Sequence, residues 1–142
     1  MAHREKVHGQ IEVVFSDVWE RPRFSALHRG FRPNLDSFHT DDPHELTVVV
    51  EVPGIDPGSL TIAVSERVLV IAGERTRAKA RGRVYQQMEI EYGRFERRVR
   101  LAEDVDHARA RAVYDHGVVT ISLPVSDRPA SGERRTISVE CP

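Results

Sequence analysis

The run Ala112-Val113-Tyr114-Asp115-His116-Gly117-Val118-Val119-Thr120-Ile121-Ser122-Leu123-Pro124 decides the fold. Strand-forming residues lead into Asp-His-Gly, a hairpin turn signal, and a second strand-forming run follows until Pro124 stops it. The same texture extends upstream. Phe95, Val99 and Leu101 share one face of an extended segment, with Glu96, Arg98 and Arg100 opposite. Val68-Leu69-Val70-Ile71 is unbroken, as expected of a central strand covered on both faces, and Gly73 is expected to close it. Leu60, Ile62 and Val64 alternate with Thr61, Ala63 and Ser65. Leu46, Val48, Val50 and Val52 alternate with Thr47, Val49 and Glu51, and Pro53-Gly54 ends that run. Short strands at regular spacing with no convincing core helix predict an all-β fold, an immunoglobulin-like antiparallel β-sandwich.

The 142 residues suit one such domain with terminal extensions, at 1–33, 34–124 and 125–142. Basic residues number 21 and acidic ones 22, a balance that argues against a dedicated nucleic-acid binder. Lys6 and Lys79 are the only lysines, so 19 of the cations are arginine, the residue suited to fixed bidentate pairing. No apolar stretch follows the charges of the first residues, and the longest purely apolar run, 68–72, is far too short to span a bilayer. The expected setting is therefore cytosolic, with no membrane partner. A single cysteine, Cys141, excludes an internal disulfide and is expected to be a reduced thiol.

Three segments fall outside the sandwich. In the N-terminal arm, Ile11, Phe15, Val18 and Trp19 fall on one face of a helix too short to bury it alone. Phe24 and Phe31 add to the arm's share of the aromatic residues, which points to a sticky segment that contacts other chains. The second segment is 74–92. Here Val84, Met88 and Ile90 alternate with Tyr85, Gln87 and Glu89, as in a strand carried away on an arginine-rich stem, 75–83. Such an excursion must pair with something, and a neighbouring chain is the obvious candidate. The third is the polar tail after Pro124, which ends in the apolar hook Ile137-Ser138-Val139. Its two aliphatic side chains lie on one side of an extended backbone. The hook lies 13 residues beyond Pro124 and can reach about 40 Å, so a neighbour's surface is its expected target.

Taken together, these residues resemble the small heat-shock protein family and its α-crystallin domain, in the bacterial and plant form. Asp36-Ser37-Phe38-His39-Thr40-Asp41-Asp42 resembles the family's first domain strand, and 51–60 its acidic-apolar-Pro-Gly turn segment. Tyr92-Gly93-Arg94-Phe95 through Leu101 is similar to its Tyr-Gly-x-Phe stretch. Ala112 with Gly117-Val118-Val119 fits the Ala-x4-Gly-Val-Leu signature, with Val in the last place. Ile137-Ser138-Val139 is a form of the Ile-x-Ile/Val anchor. Two departures are Ala102, where the family often has Pro, and Gly58, where many members carry an acid.

The resemblance implies an ATP-independent holdase that binds partly unfolded clients and passes them to ATP-driven chaperones. It implies strand-swapped dimers, with Val84, Tyr85, Met88, Ile90 and Arg97 at the dimer interface, building oligomers of commonly about 12 to 24 chains. Ile137 and Val139 would anchor in a groove formed by Leu60, Ile62, Val64, Ala112 and Tyr114. Phe15, Val18, Trp19, Phe24 and Phe31 are the candidate client contacts. Burying each anchor side chain is worth about 1.5–3 kcal/mol before association costs, so one hook is a weak ligand and a stable shell needs many. Arg97 falls on the Phe95–Val99–Leu101 face, where a charge needs a carboxylate or an interface unless it snorkels to solvent.

No catalytic, cofactor or metal site is expected. The seven histidines (His3, His8, His28, His39, His44, His107 and His116) are scattered without ligand spacing and read as solvated turn residues. Asp115 and His116 with Ser122 do not form a nucleophile motif, and no phosphate-binding Gly-x4-Gly-Lys loop is present. The rival reading is a monomeric co-chaperone or adaptor sandwich, which would lack the excursion and the anchor.

Overall fold

A computed structural model describes residues 30–129 and 132–142. Nine strands follow one another: β1 (Leu35–Asp41), β2 (His44–Glu51), β3 (Thr61–Ser65), β4 (Val68–Arg75), β5 (Gly93–Arg100), β6 (Arg111–Asp115), β7 (Val118–Pro124), β8 (Arg135–Ile137) and β9 (Val139–Glu140). They form a five-stranded sheet in the order β1-β2-β7-β6-β9 and a four-stranded sheet in the order β5-β4-β3-β8. Every ladder is antiparallel except β6 with β9, which is parallel. The α-helix is absent among the described residues, and two single 3-10 turns, Pro57–Ser59 and His107–Arg109, serve as corners.

The alternation read from the sequence sets the two inner faces. Leu46, Val48 and Val50 of β2 and Val119, Ile121 and Leu123 of β7 face Ile62, Val64, Leu69 and Ile71 of the other sheet, all in one buried cluster. Strand β4 is buried through Leu69, Val70, Ile71 and Ala72, so both of its faces are covered. The β6–β7 turn is tight because His116 and Gly117 take φ +51° and +80°, the left-handed pair that a two-residue hairpin requires. Phe31 and Pro33, ahead of Asn34, already pack against the sandwich.

One local expectation is corrected, and two segments take a form that the sequence did not specify. Gly73 does not close β4, which continues through it to Arg75. Its lack of a side chain has another use: a Cβ there would lie 2.9 Å from Cζ of Phe95 and 3.2 Å from Cδ1 of Ile55. The glycine makes room for a ring, so the strand keeps its ladder. Residues 84–90 form no strand within this chain, and the whole stretch 76–92 is irregular, turning at Gly82 with φ +80°. A strand exists only in a ladder, and no strand among the described residues pairs with this segment. Lastly, the tail folds back onto its own domain in this structure. Its hook forms β8 and β9 on the chain that carries it.

Candidate assembly surfaces

The hook fills the seam where the edge strands of the two sheets, β3 and β6, come side by side. On one side Ile137 pairs with Ile62, Thr136 with Ala63 and Arg135 with Val64. One residue later the backbone crosses the seam, and Val139 pairs with Ala112 and Glu140 with Val113. The alternation in Ile137-Ser138-Val139 makes this possible, because the two aliphatic side chains point the same way while Ser138 stays exposed. Ile137 is 5% exposed and belongs to the core, while Val139 is half-buried against it. Of the groove residues, Ile62, Val64 and Ala112 are fully buried. Leu60 and Tyr114 form half-buried rims, and the Tyr114 hydroxyl donates to the Val52 carbonyl at 3.2 Å. Docking the hook on its own chain satisfies two sheet edges that would otherwise be open.

The excursion has the opposite character. Val84 is 89% exposed, Ile90 62% and Met88 59%, with Tyr85 also open. Among the described residues, nothing buries the side chains of Val84, Met88 and Ile90. Its stem, by contrast, is tightly held. Arg75 donates through Nε and Nη2 to the Glu91 carbonyl, the first at 2.9 Å, and Arg77 Nη2 donates to the Ile90 carbonyl at 3.4 Å. The Arg77 guanidinium lies 4.3 Å from the Tyr92 ring centroid and 5.1 Å from that of Tyr85. Hydrogen bonds from Arg77 and Arg83 hold the Tyr85 phenol below its ordinary pKa.

Arg97 occupies a second seam, between β5 and the approach to β1. Its Nη1 donates to the Pro33 carbonyl at 2.6 Å, so its partner there is a neutral oxygen rather than a carboxylate. Burial pushes its pKa down, with nearby Arg32 adding to the effect. Phe31, two residues before Pro33, stands edge-on to Phe95 with ring centroids 5.6 Å apart. It is thus packed on the domain, whereas Phe15, Val18, Trp19 and Phe24 lie outside the described residues. The grip of Arg75 and Arg77 on the returning limb is a feature that sequence reading missed. Its only signal was the alternation of Arg75, Arg77, Lys79, Arg81 and Arg83 opposite Tyr85 and Tyr92.

The polar residues singled out as possible chemistry are not brought together. Asp115 and His116 pair with each other at 2.7 Å on an exposed turn. Ser122 stands opposite Arg111 at the far end of the same hairpin, about 13 Å from that turn at the usual strand rise. Among the described residues no group of three or more His, Cys, Asp or Glu is placed to hold a metal ion. No helix among them is long and apolar enough to cross a membrane.

A profile of the Hsp20/alpha crystallin family matches residues 39–140, a span that takes in the groove, the excursion and the hook. The chain belongs to this family. Small heat shock protein C2 of Rickettsia felis is 25% identical over 141 residues, covering 99% of this chain and 88% of its own length. The 18 kDa heat shock protein of Streptomyces albus G is 32% identical over 129 residues, covering 90% and 81%. Among solved structures, hspA from Xanthomonas axonopodis superposes with a TM-score of 0.60 at 27% identity, covering 71% of this chain and 98% of its own. Heat shock protein 16.0 from Schizosaccharomyces pombe, at TM-score 0.64 and 21% identity, covers 72% and 94% and shares the fold. As a member of the small heat-shock proteins the chain has a chaperone's ancestry, and the sandwich described above is its α-crystallin domain.

Proposed function

We propose that this chain is an ATP-independent holdase that binds partly unfolded proteins and keeps them from aggregating, working as a dynamic homo-oligomer of strand-swapped dimers. The observation that carries the reading is the excursion, an apolar row exposed at Val84, Met88 and Ile90 on a stem that is itself firmly held. A fixed stem bearing an unpaired, strand-like segment suits the edge of a second sheet. The exposed side of β1, with half-exposed Phe38, is such an edge, and exchange of excursions between two copies would close both. Arg97 then lies at the dimer contact, where a partner would bury it further.

The hook supplies the next level. A groove that accepts Ile137 and Val139 of its own tail has the shape to accept those of another copy. A swap from the chain's own groove to a neighbour's changes few contacts and so costs little. A structure of a small heat-shock protein from Xylella fastidiosa, 28% identical with TM-score 0.59, is described as having a distinct high order structure, which is in keeping with assembly here. Weak, repeated anchors permit subunit exchange, and exchange exposes apolar surface to clients. The reading includes a cytosolic setting, hand-over of clients to ATP-driven chaperones and no enzymatic turnover. Turbidity of a heat-labile enzyme, followed on heating with no nucleotide present, tests it. Suppression at near-stoichiometric ratios is expected, and unchanged light scattering contradicts it.

A further inference from the structure

The excursion's root and the end of the N-terminal arm meet at one side chain. Arg75, the last residue of β4, holds the Glu91 carbonyl on the returning limb and donates through Nη1 to the Pro53 carbonyl at 3.2 Å. The face of the same guanidinium lies 3.6 Å from the ring centroid of Phe31. Phe31 in turn stands edge-on to Phe95 at an interplanar angle of 85°, and Phe95 is buried in the space left by Gly73. The geometry runs unbroken from core to arm to excursion. At the foot of the excursion the arm also crosses Gly93: a Cβ there would lie 3.6 Å from the Gly30 Cα.

We propose that Phe31 and Arg75 form a latch through which the N-terminal arm and the excursion are held, and released, together. The planar guanidinium carries two functions at once: its edge binds the stem carbonyls and its face binds the arm's ring. A force that draws Phe31 away, such as capture of the arm by another chain, strips the ring from Arg75 and loosens its grip on Glu91. By linkage the converse holds, and displacement of the stem frees the arm. Two segments far apart in sequence thereby report on each other. The latch belongs to the single chain and stands whether or not the chain is a holdase.

Limited trypsin digestion of the full chain, with fragments assigned by mass, tests it. Phe31→Leu keeps the apolar contact with Phe95 but removes the ring face, and should speed cleavage after Arg81 and Arg83 by about threefold. Arg75→Gln should speed the same cleavages at least as much, and should also speed cleavage after Arg29, where the arm runs into the domain. The double variant should be no faster than Arg75→Gln alone, since one latch is broken once. Cleavage after Arg100, at the end of β5, is the control for general unfolding and should stay at its original rate. Unchanged cleavage of the excursion in Phe31→Leu overturns the proposal. So does a double variant whose rate is the product of the singles, or a parallel rise at Arg100.

Discussion

Replacing Ile137 with Ala probes the hook where it is best defined. The side chain is 5% exposed and its backbone partner is Ile62, itself fully buried. Removing most of an aliphatic side chain from such a place forfeits about 1.5–3 kcal/mol of transfer free energy. At about 1.4 kcal/mol per factor of ten, the ratio of docked to undocked hook falls roughly tenfold to a hundredfold. The hook's ladders are short, three residues on β3 and two on β6, so little else holds it. Undocking exposes the edges of β3 and β6 but leaves the inner faces packed, making the change local rather than global. Hydrogen exchange followed on peptides covering Thr61–Ser65 and Arg111–Asp115 should therefore accelerate by about tenfold or more, while peptides from β2 and β7 keep their rates. Adding Val139→Ala should release the hook fully and shift assemblies toward dimers. Unchanged exchange at both edges would refute the reasoning, because Ile137 would then not be what holds the hook. Acceleration everywhere would refute it too, since the groove and core would unfold as one.

Two further substitutions test the packing that positions these surfaces. Gly73→Ala in a strand normally gains from reduced backbone freedom, but here the new methyl meets Phe95 at 2.9 Å. Overpacking should win, with a loss of about 1–3 kcal/mol in denaturant unfolding that Phe95→Leu partly restores; a stabilised Gly73→Ala contradicts the close approach. Arg97→Met keeps the side chain's apolar stem and removes a charge whose partner is a carbonyl. It should melt closer to the parent than Arg97→Ala, which loses the stem as well, and the reverse order would show that the charge itself holds the junction.

The sandwich was legible because its inner faces follow a strict period of two. Leu46-Val48-Val50 and Val119-Ile121-Leu123 state which side of each strand is buried, and Asp115-His116-Gly117 states where the chain reverses. Four features were not. The β3–β4 turn at Glu66-Arg67 has no glycine or asparagine to mark it, although Glu66 takes φ +51°. What holds it is distant in sequence, as Arg67 grips Asp104 through Nε and Nη2 at 3.0 and 3.2 Å. Gly73 resembled a strand end because its reason lies in Phe95, 22 residues on, and no local pattern carries that contact. The hook's composition told what it would bind but not on which copy. That choice depends on tether length and concentration, which composition does not carry. For the excursion the alternation was plain in Val84, Met88 and Ile90, yet alternation cannot make a strand until a second edge is present.

The mass of the intact particle in solution bears most directly on the central claim. Native mass spectrometry of the full chain at micromolar concentration should show even multiples of the 16.1 kDa chain, with exchange between species on mixing labelled and unlabelled protein. A single species at 16.1 kDa would contradict the account: the exposed excursion would then have no second chain to meet.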